Sequence, residues 1–331
     1  MSQYRIRSHF TAGTGSCRYG YYGKRGVIEL VAIKLLWFYI VDSQHGHSLT
    51  GIKGRTAADA QDKVRLELPG SFPAGTYGLL FRSLRARGFA VKALDKFGHD
   101  PRYPVTNNWP HLVQQLADFT AEAVERQGEP AFLVGHSLGG FVSVMTAALH
   151  PHLVRGVVLL DSPLISGWRA NALDVIKRTQ LLGAISPGKI SRARRNHWPD
   201  RAAVLEHFRH KRAFAKWDPQ VLEDYIDHGT REENGQRVLA FDRDVETRIY
   251  NTLPHHLRAL LKRHPLKCPV AFIGGRQSQE MKQVGMALTL EITQGRTMLL
   301  DGTHLFPMEK PLATAAAVEA SLRNMLAGHG A

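Results

Sequence analysis

AFLVGHSLGGFVSVM, residues 131 to 145, is an apolar run that breaks at Gly135-His136-Ser137-Leu138-Gly139 and resumes as a second apolar run. The first run reads as a buried strand ending at Ser137 and the second as a helix reaching His150. A Gly-x-Ser-x-Gly pattern by itself is modest evidence, since average composition yields it by chance in roughly one chain in ten or twenty of this length. Its context says more. A serine caught between strand and helix sits in a strained turn, and glycines two positions to either side remove Cβ atoms that would collide there. The helix starts at once, so its first amides face any negative charge developing on a group attacked by Ser137.

Working outward, short apolar runs alternate with longer helical stretches, the order expected of a mostly parallel sheet flanked by helices. Upstream, residues 64–68 (VRLEL) and 90–95 (AVKALD) read as strands, and 78–88 and 109–128 as helices. Downstream, LVRGVVLLD (153–161) is the next strand. The rhythm then stops until PVAFIGG (269–275), RTMLLDG (296–302) and a closing helix from Pro311 to Met325. Residues 162–266 are helix-rich, basic and aromatic without recurring strands, as an inserted subdomain would be. The expected partition is 1–62 as an N-terminal extension, 63–161 and 267–331 as two parts of one core, and 162–266 between them. Within the extension, GVIELVAIKLLWFYIV (26–41) is interrupted by Glu29 and Lys34, which argues against stable membrane insertion. It could be an amphipathic packing helix, early strands of the sheet, or an extension arising from a misplaced start.

The chain has 331 residues, 44% of them hydrophobic, which is enough for a sizeable core. Net charge is +14, and the segment from Trp168 to Lys216 concentrates the excess, with twelve Lys or Arg against Asp174, Asp200 and Glu206. That pattern reads first as a solvated helical face and second as a surface for an acidic substrate or headgroup. Without aromatic stacking motifs, no nucleic-acid partner is expected. Cys17 and Cys268 form neither a disulfide framework nor a metal motif, which fits a reducing, cytoplasmic setting.

A nucleophilic serine needs a base. His304, in Gly302-Thr303-His304-Leu305, follows the last strand and so emerges at the same sheet edge as Ser137. His136 lies within the turn, but its side chain should point away from the nucleophile, either lining the pocket or packing.

With these residues in place the chain resembles the α/β-hydrolase family from about Val64 onward, excluding the insertion. The matching motifs are LPGSF (68–72), LDKFGHD (94–100), GHSLGG (135–140) and DGTHLFPMEKP (301–311). The resemblance implies Ser137 as nucleophile, His304 as general base, and an oxyanion hole from the amide of Leu138 and a second amide at Ser71 or Phe72. It implies structural roles for Asp95 and His99, and neither cofactor nor metal. The sequence departs from the family in carrying Pro69-Gly70 in place of His-Gly, which leaves the second oxyanion donor open. It departs again at Ser278, where most members keep the acid, because a hydroxyl cannot stabilise an imidazolium as a carboxylate does. Glu280, Asp301 and Asp161 compete for that role. Asp161 is preferred because it leaves the strand next after the elbow strand, a place where some members such as haloalkane dehalogenases carry the acid. Its competing reading is a cap at the start of the insertion.

In this family an insertion after that strand forms a cap. Trp168, Trp198, Phe208, Phe214 and Trp217 would build its core, with one or two facing substrate. Phe72, His136 and Trp198 are the candidate substrate contacts. The expectation is a serine hydrolase cleaving a small hydrophobic carboxylic ester through an acyl-enzyme. The same residues would serve a thioesterase or C–C bond hydrolase, and a disabled hydrolase fold would leave a ligand-binding protein.

Overall fold

A computed structural model describes residues 35–42 (backbone only), 72–94, 97–165 and 194–327. The strand expected at 64–68, and Ser71, Asp95 and Trp168, lie outside these residues. In chain order the first half contributes β1 (Leu35–Asp42), α1 (Gly78–Ala86), β2 (Phe89–Ala93), α2 (Pro110–Gln127), β3 (Ala131–Ser137), α3 (Leu138–Leu149) and β4 (Val154–Leu160). Next come β5 (His197–Trp198), α4 (Arg201–Arg209), α5 (Pro219–Gly229), β6 (Thr230–Glu233), β7 (Gln236–Leu239), α6 (Arg243–Asn251) and α7 (Leu257–Arg263). The chain closes with β8 (Val270–Gly275), α8 (Gln279–Val284), α9 (Ala287–Thr293), β9 (Thr297–Leu300), α10 (Phe306–Glu309) and α11 (Pro311–Ala327).

The main sheet has the order β2-β1-β3-β4-β8-β9. β3, β4, β8 and β9 run parallel, whereas β1 is antiparallel to both of its neighbours. Of the readings open for residues 26–41, β1 takes the early strand, and its LLWFYIVD sequence has the aromatic and β-branched character that a pleated surface favours.

Every residue of β3 and β8 is buried, so these strands read as unbroken apolar runs, as strands covered on both faces do. Alternate residues serve opposite faces. Phe132 and Val134 of β3, Val158 and Leu160 of β4 and Ile273 of β8 pack with α1 and α11 through Leu80, Leu84, Val318 and Leu322. Leu133, Val157, Leu159 and Phe272 pack on the other face with Leu116 of α2 and Val142 and Met145 of α3. Each fully buried aliphatic or aromatic side chain contributes about 1.5–3 kcal/mol. Parallel alignment brings the carboxyl ends of β3, β4, β8 and β9 to one edge, where Ser137 ends β3, Asp161 follows β4 and His304 lies in the loop after β9.

Residues 194–266 correct one expectation. They contain a three-stranded antiparallel sheet, β5-β7-β6, where the sequence suggested no strands. β6 and β7 join through Asn234-Gly235, both at positive φ (53° and 73°), as a tight hairpin turn requires. The flanking strands, Thr230–Glu233 and Gln236–Leu239, are mostly polar, so no apolar alternation announces them. Helices α4, α5 and α6 start on Asp200, Asp218 and Asp242, whose carboxylates accept from Ala203 N, Gln220 N and Asp244 N respectively.

Candidate active site

The turn at Ser137 is strained as its setting demands: φ is 55° and ψ −122° at the junction of β3 and α3. Two glycines make room for it. A Cβ on Gly135 would lie 2.5 Å from the backbone of Gly139 and Gly140, and one on Gly140 would lie 2.2 Å from Ser162 Oγ. Ser162 Oγ in turn donates to the Ser137 carbonyl at 2.5 Å, tying the elbow to the chain leaving β4.

His304 Nε2 stands 3.1 Å from Ser137 Oγ, and its Nδ1 stands 2.6 Å from Asp161 Oδ2. A carboxylate only accepts, so Nδ1 carries the ring proton and Nε2 is the lone pair facing the serine hydroxyl. All three residues are buried. Asp161, at φ 40° one residue past β4, also accepts from Gly275 N (2.7 Å, to Oδ1) and from Ser278 Oγ (2.6 Å, to Oδ2). Ser278, standing where the family usually keeps its acid, thus holds the carboxylate that reaches His304. It also caps α8 by accepting from Met281 N at 3.2 Å. Of the two rival carboxylates, Asp301 is exposed, and Glu280 is buried beside the site with Oε2 3.9 Å from His304 Nδ1, farther than Asp161.

The loop bearing His304 is pinned by Glu309, whose carboxylate accepts from Thr303 N (2.9 Å) and Thr303 Oγ1 (2.5 Å). A second histidine braces it from behind. His136 Nε2 is 2.9 Å from the His304 carbonyl, so it carries a proton there, and its Nδ1 accepts from the Tyr77 hydroxyl at 2.9 Å. Burial raises the Tyr77 hydroxyl well above its usual pKa, which keeps it a donor. Both ring nitrogens of His136 are thus engaged with the scaffold.

The candidate substrate contacts Phe72 and Trp198 are both buried. The ring of Phe72 is buried against Trp217 (centroids 4.9 Å apart), Tyr225 (5.3 Å) and Phe214 (6.1 Å). Trp198 is buried beside His207 and Phe208. Both belong to the aromatic packing of residues 194–239, because large rings there find partners among themselves sooner than at the cavity. The cavity at Ser137, about 30 Å³, is lined by apolar residues including Phe141, Pro163, Ile165, Leu253 and Val284, together with Glu280 and His304. Leu138 lies at the first position of α3, where main-chain N–H groups have no partner within the helix, as an oxyanion hole needs. His99, from the LDKFGHD motif, donates to the Phe97 carbonyl and accepts from Asp242 N, joining its loop to the start of α6.

Tyr77, Ser162 and Ser278 had no functional role in the sequence reading. Nothing local marks the first two, whose partners lie 59 and 25 positions away. Ser278 was visible as a departure, but its bond to Asp161 spans 117 positions.

A model of the alpha/beta hydrolase family matches residues 68–317. A serine hydrolase-like protein of Dictyostelium discoideum is 26% identical over 273 residues, covering 72% of this chain and 69% of that protein. Two solved structures share the fold. E-2-(acetamidomethylene)succinate hydrolase aligns with a TM-score of 0.57 at 20% identity over 76% of this chain and 88% of its own. The thioesterase domain from the curacin biosynthetic pathway aligns with a TM-score of 0.58 at 18% identity over 77% and 88%.

Proposed function

The chain belongs to the alpha/beta hydrolase family, and from that premise we propose that it cleaves a carboxylic ester of a small or medium hydrophobic acid through an acyl-enzyme on Ser137. The observation carrying this reading is the unbroken hydrogen-bond chain from Asp161 through His304 to Ser137. Ser137 Oγ attacks the ester carbonyl while His304 Nε2 takes its proton; Asp161 holds the resulting imidazolium. The amide of Leu138, and a second donor at Ser71 or Phe72, meet the oxyanion. The imidazolium returns its proton to the leaving alcohol, and water attacks the acyl-enzyme by the same route in reverse. The apolar cavity wall supports a hydrophobic acyl group. Neither a cofactor nor a nucleic-acid partner is required. Residues 162–266 are proposed as the cap.

A thioester would react by the same steps, and the thioesterase domain among the structural neighbours makes it the second substrate to try. The test is fluorophosphonate labelling of the wild type and Ser137→Ala, followed by hydrolysis of matched p-nitrophenyl esters and thioesters of one acyl chain. Labelling that disappears in Ser137→Ala, with faster turnover of the ester, is expected. Failure of the wild type to label under any condition would point instead to a ligand-binding protein.

A further inference from the structure

Glu280 is a carboxylate that the proposed chemistry leaves unused. It is buried, 7% exposed, and it lines the cavity at Ser137. Among the described residues its hydrogen-bond contact is Ser278 Oγ at 3.3 Å, yet that hydroxyl has a single proton and lies 2.6 Å from Asp161. The shorter bond takes the proton, so the Glu280 carboxyl is left facing His304 and the cavity without a committed donor among the described residues. The nearest ionisable donor is His304 Nδ1, already engaged by Asp161.

Asp161, Glu280 and His304, all buried, each offer one potential ligand atom, and these atoms all lie within 4.8 Å of one another. Tetrahedral zinc with bonds of about 2.0–2.1 Å holds its donors about 3.3 Å apart. The edges present here bracket that spacing: 2.6 Å from Nδ1 to Asp161 Oδ2 and 3.9 Å from Nδ1 to Glu280 Oε2. Bringing these two edges to that spacing takes shifts of about 0.6–0.7 Å, with the Ser278 hydroxyl or a water as fourth ligand. One imidazole and two carboxylates suit a borderline cation such as Zn²⁺ over Ca²⁺ or Mg²⁺, which want six or more oxygens.

We propose that Asp161, Glu280 and His304 form an inhibitory binding site for a borderline divalent cation, Zn²⁺ in the first instance. Metal at Nδ1 needs the lone pair on that nitrogen. The Nδ1 proton leaves to solvent and one is taken up at Nε2, so the ring stays neutral while its tautomer inverts. Nε2–H then faces Ser137 and can no longer accept the serine proton. The two carboxylates offset the charge of the ion, and Asp161 is drawn from the imidazole to the metal. Binding is independent of the hydrolase reading; only its inhibitory consequence rests on that reading.

The test uses the full chain, stripped with EDTA. ZnCl₂ is titrated calorimetrically into Ser137→Ala and into Ser137→Ala/Glu280→Gln, with Ser137→Ala/Glu280→Asp as the variant that keeps the carboxylate and thermal melts verifying that all are folded. Surface histidines such as His150 and His152, whose rings are 6.4 Å apart, supply a background common to all three. The expected result is one saturable site in Ser137→Ala, weakened at least about tenfold by Glu280→Gln and largely restored by Glu280→Asp. Identical isotherms with and without the Glu280 carboxylate would overturn the proposal. In parallel, Zn²⁺ should inhibit wild-type ester hydrolysis reversibly, and Glu280→Gln should need at least tenfold more metal to reach half of its own metal-free rate. An uninhibited wild type at saturating Zn²⁺ overturns it too. If the wild type hydrolyses nothing, the ester reading fails by itself and calorimetry still decides the metal site.

Discussion

Asp161 Oδ2 takes two hydrogen bonds at 2.6 Å, one from His304 Nδ1 and one from Ser278 Oγ. The first carries the proposed catalysis, and Asp161→Asn should lower kcat by a factor on the order of 10³ to 10⁴, by analogy with serine-protease triads. A comparable loss in Glu280→Gln with Asp161→Asn spared would reassign the acid. The second bond orients the carboxylate. Ser278→Ala removes a hydrogen bond to a charged group, a loss of about 1.5 kcal/mol and hence about tenfold in kcat with KM little changed. A kcat equal to wild type would show that Gly275 N suffices to hold Asp161. Behind the site, Tyr77→Phe leaves His136 Nδ1 buried without a donor, so unfolding should cost about 1–3 kcal/mol less, read as a lower midpoint in a denaturant titration. Cys268, half-buried with its thiol pushed up to about 12 by burial, is an inert apolar side chain rather than a nucleophile.

Among the elements, the β3–α3 turn places Ser137 and the hairpin β6–β7 builds the small sheet of residues 194–239. The turn tolerates no side chain at Gly135, because the obstruction is the backbone of α3 rather than a flexible side chain. Gly135→Ala should therefore abolish fluorophosphonate labelling, or prevent folding, whereas Gly128→Ala, with no clash within 4 Å but a φ of +77° that strains an L residue, should lower stability by only about 1 kcal/mol and leave labelling intact. These elements differ in how openly the sequence announced them. Strand β3 and helix α3 stood out because most of their residues are apolar and their junction carries glycines. The strands β5, β6 and β7 did not, since they are short and largely polar, and their one signal was Asn234-Gly235. The helix starts at Asp200, Asp218 and Asp242 were equally present in the sequence, with Pro219 at the first position of α5 as a further mark.

Across the whole molecule, the aromatic residues of 194–239 do for stability what the sequence left divided between packing and substrate. Phe72 joins Phe208, Phe214, Trp217 and Tyr225 in one cluster continuous with the core under α1 and α11. Trp217→Ala should destabilise by about 3–5 kcal/mol, measured by denaturant unfolding, and should also lower kcat/KM if the amide of Phe72 serves the oxyanion. Unchanged stability would show that the cluster tolerates collapse around the vacancy. Among the described residues no helix is long and apolar enough to cross a membrane.

What the sequence by itself determined is local: the alternation of strand and helix, the strained serine turn, and the histidine loop after the last parallel strand. Each is written in residues that neighbour one another, where backbone sterics and apolar periodicity act. The sequence preferred Asp161 to Glu280 and Asp301 by its place after the elbow strand, whereas its 2.6 Å approach to His304, the use of Ser278 as a brace and the engagement of His136 with Tyr77 belonged to the tertiary structure. These contacts join residues 59 to 143 positions apart. Their geometry depends on how parallel strands stack their loops at one edge, and carboxylates that look alike in sequence differ there by whether they reach one nitrogen at 2.6 Å or 3.9 Å.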